Sequence, residues 1–328
     1  MVKRGLKLLI LGLAVSHSPA SWSAAPRAHP LSQTEKFQAW RNEAVRALAA
    51  RADANSLATA AALSFTNSYG VPAETPAALQ LIARASDLAP DSAAIGWLHL
   101  QLCAAAPGCD SRDVAIVLRW VDPDNGAAWL SQLSSARKDK DTVEVDRVLG
   151  DMARGTRFDL YYNQLVVLMF DALNSVRHEL PGGAYASDSA KLAALAGVAN
   201  AEIIPPFSPL IDSCRESATA IERREDCLKL AKNMQRGDTV IVQMVGFGIE
   251  KRLVPPDSKE AKSLAAAKRL LEWRSAAAGK LDESILPWTQ HARLRTRLAE
   301  MRLKPREEDV CIALLRQHKM ALEPTENH

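Results

Sequence analysis

The sequence predicts an all-α chain, an α-α superhelix or solenoid built of antiparallel helical hairpins. Runs such as Ala47-Leu48-Ala49-Ala50, Ala60-Ala61-Ala62, Ala265-Ala266-Ala267 and Ala276-Ala277-Ala278 favour helix, because alanine loses no side-chain rotamer freedom on ordering. Breaks recur every 15 to 20 residues, at Gly70-Val71-Pro72, Ala89-Pro90-Asp91, Pro107-Gly108, Asp122-Pro123-Asp124-Asn125-Gly126 and Lys138-Asp139-Lys140-Asp141. The segments of about 12 to 16 residues between them suit helix pairs joined by short loops. Composition is the third observation: 328 residues that are 48% hydrophobic and 24% charged, with 5% aromatic and 15 Gly, supply a buried core and exclude collagen-like and low-complexity disordered classes.

Residues 1–24 have the layout of a secretory signal peptide. Lys3, Arg4 and Lys7 precede an apolar stretch at 8–15, and a small-residue site at Ser21-Trp22-Ser23-Ala24 places cleavage near Ser23/Ala24. The apolar stretch is half the roughly 20 residues that a membrane-spanning helix needs. The later apolar run at 240–249 is interrupted by Gln243 and bounded by Asp238 and Glu250, which suits a buried helix. The expectation is a soluble periplasmic or secreted protein without stable membrane insertion. Cleavage removes three basic residues, so 41 Lys and Arg become 38 against 38 Asp and Glu. A neutral mature chain lacks the positive field of nucleic-acid binders, and nucleic acid is not expected as a partner. No cysteine precedes Cys103, so none lies beside the cleavage site to accept a lipid.

The stretch 25–34 reads as a flexible, polar lead containing Pro26 and Pro30. Helical periodicity then begins with Phe37, Trp40, Ala44, Val45 and Leu48, at three- and four-residue steps on one face, and opens a repeat region over 35–204. With Pro90 as the closing proline of a 34-residue unit that begins at Thr59, Phe65, Tyr69, Ala78, Ile82 and Ala85 supply large, aromatic, small, large and small residues. The pattern interlocks two helices, the small residues of one admitting the bulky ones of the other. A second break follows 33 residues later at Pro123, and Trp129 opens a third unit with Leu133, Val145, Leu149 and Met152.

On these residues the stretch 59–157 resembles a tetratricopeptide repeat array. The third unit departs from the family pattern, with Leu133 where a small residue is usual, Ala136 where a large one is usual and Arg157 in place of the closing proline. The chain also resembles alanine-rich exported proteins of Gram-negative bacteria, a likeness that implies a compartment and no activity. The repeat resemblance implies a concave groove lined by the first helix of each pair, which binds peptides or protein surfaces. In this register Asn67, Trp97, Gln101, Ser134 and Arg137 face that groove.

Beyond the repeats, 160–176 reads as a strongly apolar helix. Pro181-Gly182-Gly183 breaks it and helix resumes over 187–202. Pro205-Pro206 and Pro209 mark a boundary, after which 205–321 forms a carboxy-terminal helical region. There Asp238 is placed to cap a helix whose Ile241, Met244, Val245, Gly248 and Ile249 share a face. Pro255-Pro256-Asp257-Ser258 ends that helix and caps the next, for which Gly279 is the expected stop. A further helix follows Leu281, and Pro305 with Glu307 and Glu308 opens the last, over 305–319. The tail 322–328 is expected to be disordered.

Five cysteines meet an oxidising compartment: Cys103, Cys109, Cys214, Cys227 and Cys311. Two bridges and one leftover thiol allow fifteen arrangements, and the local pairs are favoured. Pro107-Gly108 is a turn that brings Cys103 and Cys109 together. Cys214 and Cys227 would stand about 19 Å apart in one helix at roughly 1.5 Å per residue, so their bridge requires the chain to turn near Ser217 to Thr219. Five small buried thiols are the alternative. Neither pair has the short CxxC spacing of a zinc site, so no metal is expected.

No catalytic or cofactor site is expected either. His29, His99, His178, His291, His318 and His328 are scattered singly, His178-Glu179 lacks the second histidine of a zinc-protease helix, and Gly246-Phe247-Gly248 is a lone GxG inside an apolar helix. The Glu-Ser dipeptides of a lytic transglycosylase occur at Glu216-Ser217 and Glu283-Ser284, without the Gly-Leu-Met-Gln run that such an enzyme carries. Arg223-Arg224, Lys268-Arg269 and the basic run 293–302 lie among acidic neighbours and read as ion-paired solvated faces. Trp97, Trp120, Trp129, Trp273 and Trp288, at helical spacing, read as core. The resulting expectation is a scaffold or adaptor for a protein or peptide partner in the cell envelope, not an enzyme. An inhibitor or immunity partner of a secreted enzyme is one alternative, and a cell-wall-active enzyme such as a lytic transglycosylase is the other.

Overall fold

The computed structural model describes residues 32–65, 74–180, 187–216, 221–283 and 287–324. The signal peptide, Asn67 and the expected turn near Ser217 lie outside them. The described residues form fifteen α-helices and no strand, so the fold is all-α. In chain order these are α1 (Gln33–Arg51), α2 (Ala54–Phe65), α3 (Thr75–Leu88), α4 (Ala93–Ala105), α5 (Ser111–Val121), then a 3-10 turn (Gly126–Trp129), α6 (Leu130–Lys138), α7 (Thr142–Arg154), α8 (Tyr162–Ser175) and α9 (Asp188–Glu202). The carboxy-terminal part adds α10 (Ser208–Glu216), α11 (Ile221–Met234), α12 (Val240–Leu253), α13 (Lys259–Glu283), α14 (Pro287–Leu303) and α15 (Glu307–Gln317).

Local chemistry sets the helix starts. Ser32 and Glu35 form a reciprocal capping box on α1, and the side chains of Ser92, Asp110 and Asp141 cap α4, α5 and α7. The cap of α12 differs from the sequence expectation. Thr239 supplies it, accepting from the Val242 amide, while the Asp238 carboxylate turns away to Leu160 and Tyr162. Gly279 does not stop α13, which runs on to Glu283. A mid-helix glycine costs only about 1 kcal/mol, so it weakens a helix without ending one.

Helix α2 is buried on every side, from Ser56 through Ser64 without interruption. It packs against α1, α3, α4, α8 and α9. Ala58, Ala60, Ala61 and Ala62 let these neighbours approach closely, and the fully buried Leu57 and Leu63 each contribute about 1.5–3 kcal/mol through lost water contact. Neighbour-to-neighbour pairing along the chain (α1 with α2, α3 with α4, α4 with α5, α6 with α7) is thus joined by pairings distant in sequence, including α7 with α11 and α14 with α8 and α9. One apolar core runs from Phe37 on α1 to Leu314 on α15, crossing the Pro205-Pro206 boundary.

A polar clasp closes the middle of the molecule. The loops 122–126 and 155–161 meet through the Gly126 amide on the Arg157 carbonyl (3.0 Å) and the Thr156 amide on the Asp124 carbonyl (3.0 Å). A Cβ on Gly126 would stand 2.7 Å from the Met152 carbonyl oxygen, so this approach demands glycine. Asn125 uses its whole hydrogen-bonding capacity. Its Nδ2 donates to the Asp159 carbonyl and the Tyr161 hydroxyl, both at 2.9 Å, while its Oδ1 accepts from the amides of Ala127 (3.1 Å) and Asp159 (3.0 Å). The Tyr161 hydroxyl in turn donates to Asp122, which also pairs with Arg157. Tyr161 sits in the left-handed region (φ 57°), a conformation costly for a bulky residue and held here by these bonds.

Asp238 brings α12 and α15 to the clasp. Its carboxylate accepts from the Leu160 amide (2.9 Å) and the Tyr162 amide (3.1 Å), and its carbonyl accepts from the Glu307 amide (2.6 Å). Glu307 answers by accepting from the Val240 amide at 2.9 Å. Burial first, then the Asp159 carboxylate, push Asp238 up to about 7 against the pull of the surrounding amides. Burial likewise raises Asp159 and the Tyr161 phenol above their ordinary values.

Candidate binding cleft

The structure joins Cys103 to Cys109 and Cys214 to Cys227, with Cα separations of 5.2 and 5.6 Å. The first bridge ties the end of α4 to the loop ahead of α5, where Gly108 takes a φ of 80° that glycine alone adopts freely. The second staples α10 to α11. Cys311 is buried and belongs to neither bridge. Two such bridges fit an oxidising compartment. No helix among the described residues is long and apolar enough to cross a membrane, and none of them form a cluster of three or more metal-ligating side chains.

A cleft of about 410 Å³ opens between α4, α6 and the connection from α9 to α10. Of the five residues expected on a groove, Gln101 from α4 and Ser134 from α6 line it together. Trp97, one turn before Gln101, is fully buried instead. Its indole N–H donates to the Ile203 carbonyl at 3.1 Å, so it anchors the segment whose Ile204, Pro205 and Pro206 form the opposite wall. Arg137 lies on α6, where Ser135 and Lys138 line the cleft to either side of it.

A network on its far side sets α6 in place. Arg119 of α5 lies over the Trp129 ring, 3.9 Å from its centroid, with Arg147 of α7 at 5.7 Å. Arg119 donates to Gln132 (3.0 Å), Gln132 donates to Glu144 (2.7 Å), and Arg147 grips the same Glu144. Arg147 and Gln132 hold Glu144 well down, at about 2, so it stays ionised. Trp129, expected in the core, is partly buried against it beneath Arg119, whereas Trp120, expected there too, is 83% exposed and does not belong to the core. The basic clusters do find acids, though not always local ones: Lys268 meets Glu272 at 2.6 Å, while Arg223 reaches Asp146 on α7.

Chemically, the cleft sets apolar wall (Ala104, Leu130, Ile204, Pro205) beside the hydroxyls of Ser131 and Ser134 and the amide of Gln101, with Lys138 and Glu202 bringing opposite charges. Side-chain amides and hydroxyls both donate and accept, which suits the alternating N–H and C=O groups of an extended backbone. Its volume falls in the range of ligand clefts, roughly 300–1,000 Å³. The wall from α9–α10 was not visible to sequence reasoning, because it enters from about a hundred residues away and its one signal, Pro205-Pro206, reads equally as a domain boundary.

Fold and cleft together define a disulfide-stapled, all-α protein with a lateral, mixed-polarity cleft. No protein-family model, curated protein or solved structure matches the chain.

Proposed function

We propose that this is an exported helical-repeat protein acting as a scaffold or adaptor in the cell envelope, and that it holds an extended segment of a protein partner in the cleft between α4, α6 and the α9–α10 connection. The observation that carries this reading is the convergence of Gln101 and Ser134, two residues assigned to one groove by a repeat register and found lining one cleft. Helix pairing in the amino-terminal half supports a tetratricopeptide-like array, and the two disulfides support an oxidising compartment. The reading is of a binding protein rather than an enzyme.

The test is capture from envelope extract with residues 25–328 as bait, without reductant, in parallel with a Gln101→Arg/Ser134→Arg variant. A stoichiometric partner is expected on the parent bait, bound at least about tenfold more weakly by the variant. Equal retention by both baits would remove the cleft from the interface, and a folded parent bait that retains nothing would overturn the adaptor reading.

A further inference from the structure

A second cavity, of about 400 Å³, shares no lining residue with the cleft and lies between the end of α3, the start of α4 and α5. Its walls are apolar, from Ala89 and Pro90 across to Val114, Val117, Leu118 and Val121. Gly96 lines it, and a Cβ there would meet Leu118 Cδ1 at 3.4 Å, an ordinary van der Waals contact. Inside, the Ser86 hydroxyl and His99 Nδ1 are paired at 3.0 Å. Burial holds His99 below its usual value, against the opposing pull of Asp87, so the imidazole is neutral near pH 7.

The charged side chains lining this cavity have one sign, and the nearby Arg112, although it also interacts with Asp113, is paired with Asp110. Asp87 and Asp113 line it, no lysine or arginine does, and His99 adds no positive charge. The apolar surface continues outward along α5, where Asp113, Ile116, Val117 and Trp120 form one exposed stripe at three- and four-residue steps. Two carboxylates beside an apolar wall repel an anion, and a neutral apolar guest would cover part of their hydration and return nothing. A cation with an apolar body satisfies both parts.

We propose that this cavity is a binding site for a small molecule carrying a protonated amine on an apolar body. The apolar part lies against Pro90, Val114, Val117 and Leu118, and the ammonium lies between Asp87 and Asp113.

Calorimetric titration of residues 25–328 with hexylamine, hexanol and hexanoate at neutral pH tests it. Saturable binding of one hexylamine is expected, with hexanol and hexanoate weaker by about tenfold or more, and with affinity falling as salt is added. Asp87→Asn/Asp113→Asn, at two exposed positions, should bring hexylamine down to the affinity of hexanol. Val117→Lys, exposed on α5, should abolish hexylamine binding while circular dichroism stays unchanged. Hexanol binding as tightly as hexylamine, full affinity in the double Asn variant, or no saturation by folded protein would each overturn the proposal. A lysine-bearing apolar peptide that binds more tightly than hexylamine would overturn the assignment to a small molecule.

Discussion

Around α2, five helices meet on a surface of alanine and leucine whose polar residues, Ser56, Thr59 and Ser64, lie within the helix. Around Asn125 the joining groups are carboxylates, an amide, a phenol and bare backbone, drawn from positions 122–126, 157–163, 237–240 and 304–307. The first region tolerates any arrangement that keeps small volumes in place, because apolar packing is non-directional. The second is directional, and each of its groups is costly to leave without a partner once buried. The alanine-lined array supplies bulk adhesion, and the clasp fixes which loops face one another.

Four measurements sharpen or break this contrast. The largest expected effect is from Asn125→Ala, which strips partners from the amides of Ala127 and Asp159 and from the Asp159 carbonyl. A loss of about 3–5 kcal/mol in urea unfolding is expected, and a loss below about 1 kcal/mol would show that the clasp is ornamental.

Next is the pH dependence carried by Asp238. A carboxyl whose folded pKa stands above its unfolded value holds its proton more tightly when folded. Its contribution is therefore whole below pH 4, is lost as pH rises towards about 7, and is level above that. Relative to Asp238→Asn, the parent protein should lose up to about 4 kcal/mol over that interval. Parallel stability curves for the two proteins would contradict it.

Ala61→Leu tests the other region. The added bulk has no open side on a fully buried helix, and a cost of about 1–3 kcal/mol is expected from overpacking, read as a lowered melting temperature. The smallest effect belongs to Trp120→Ser, which should change stability by no more than about 0.5 kcal/mol, since the indole is exposed.

The same contrast decides what could be read from the sequence. Phe37, Trp40, Ala44 and Leu48 are all buried, and their spacing within one helix sufficed to find α1. The two disulfides were legible because each closes a short loop, of 6 and 13 residues in separation. Asp238 was read as the cap of its own helix, since a local partner is what its position suggests. Its true partners, Leu160 and Tyr162, are 78 and 76 residues away. Trp97 and Trp120 were both expected in the core, but only Trp97, on a helix buried on most sides, is there, whereas Trp120 stands on the exposed face of an amphipathic helix. Of the cleft's lining, Gln101 and Ser134 were the two residues assigned to a groove by the repeat register, whereas Ile204 and Pro205 arrive through tertiary packing.

The surroundings of α2 also impose an order of events on a chain that emerges amino end first. Helices α1, α3 and α4 are available to it early, but α8 and α9 follow only after about a hundred further residues have been made. Until then one side of an alanine-rich helix stands open to water and to other nascent chains, the circumstance in which aggregation competes with folding. The bridge from Cys103 to Cys109 closes within a single loop and has no need to wait for that distant half. Oxidation of this pair can therefore precede completion of the core, whereas the open side of α2 stays uncovered until α8 and α9 arrive, with or without the bridge.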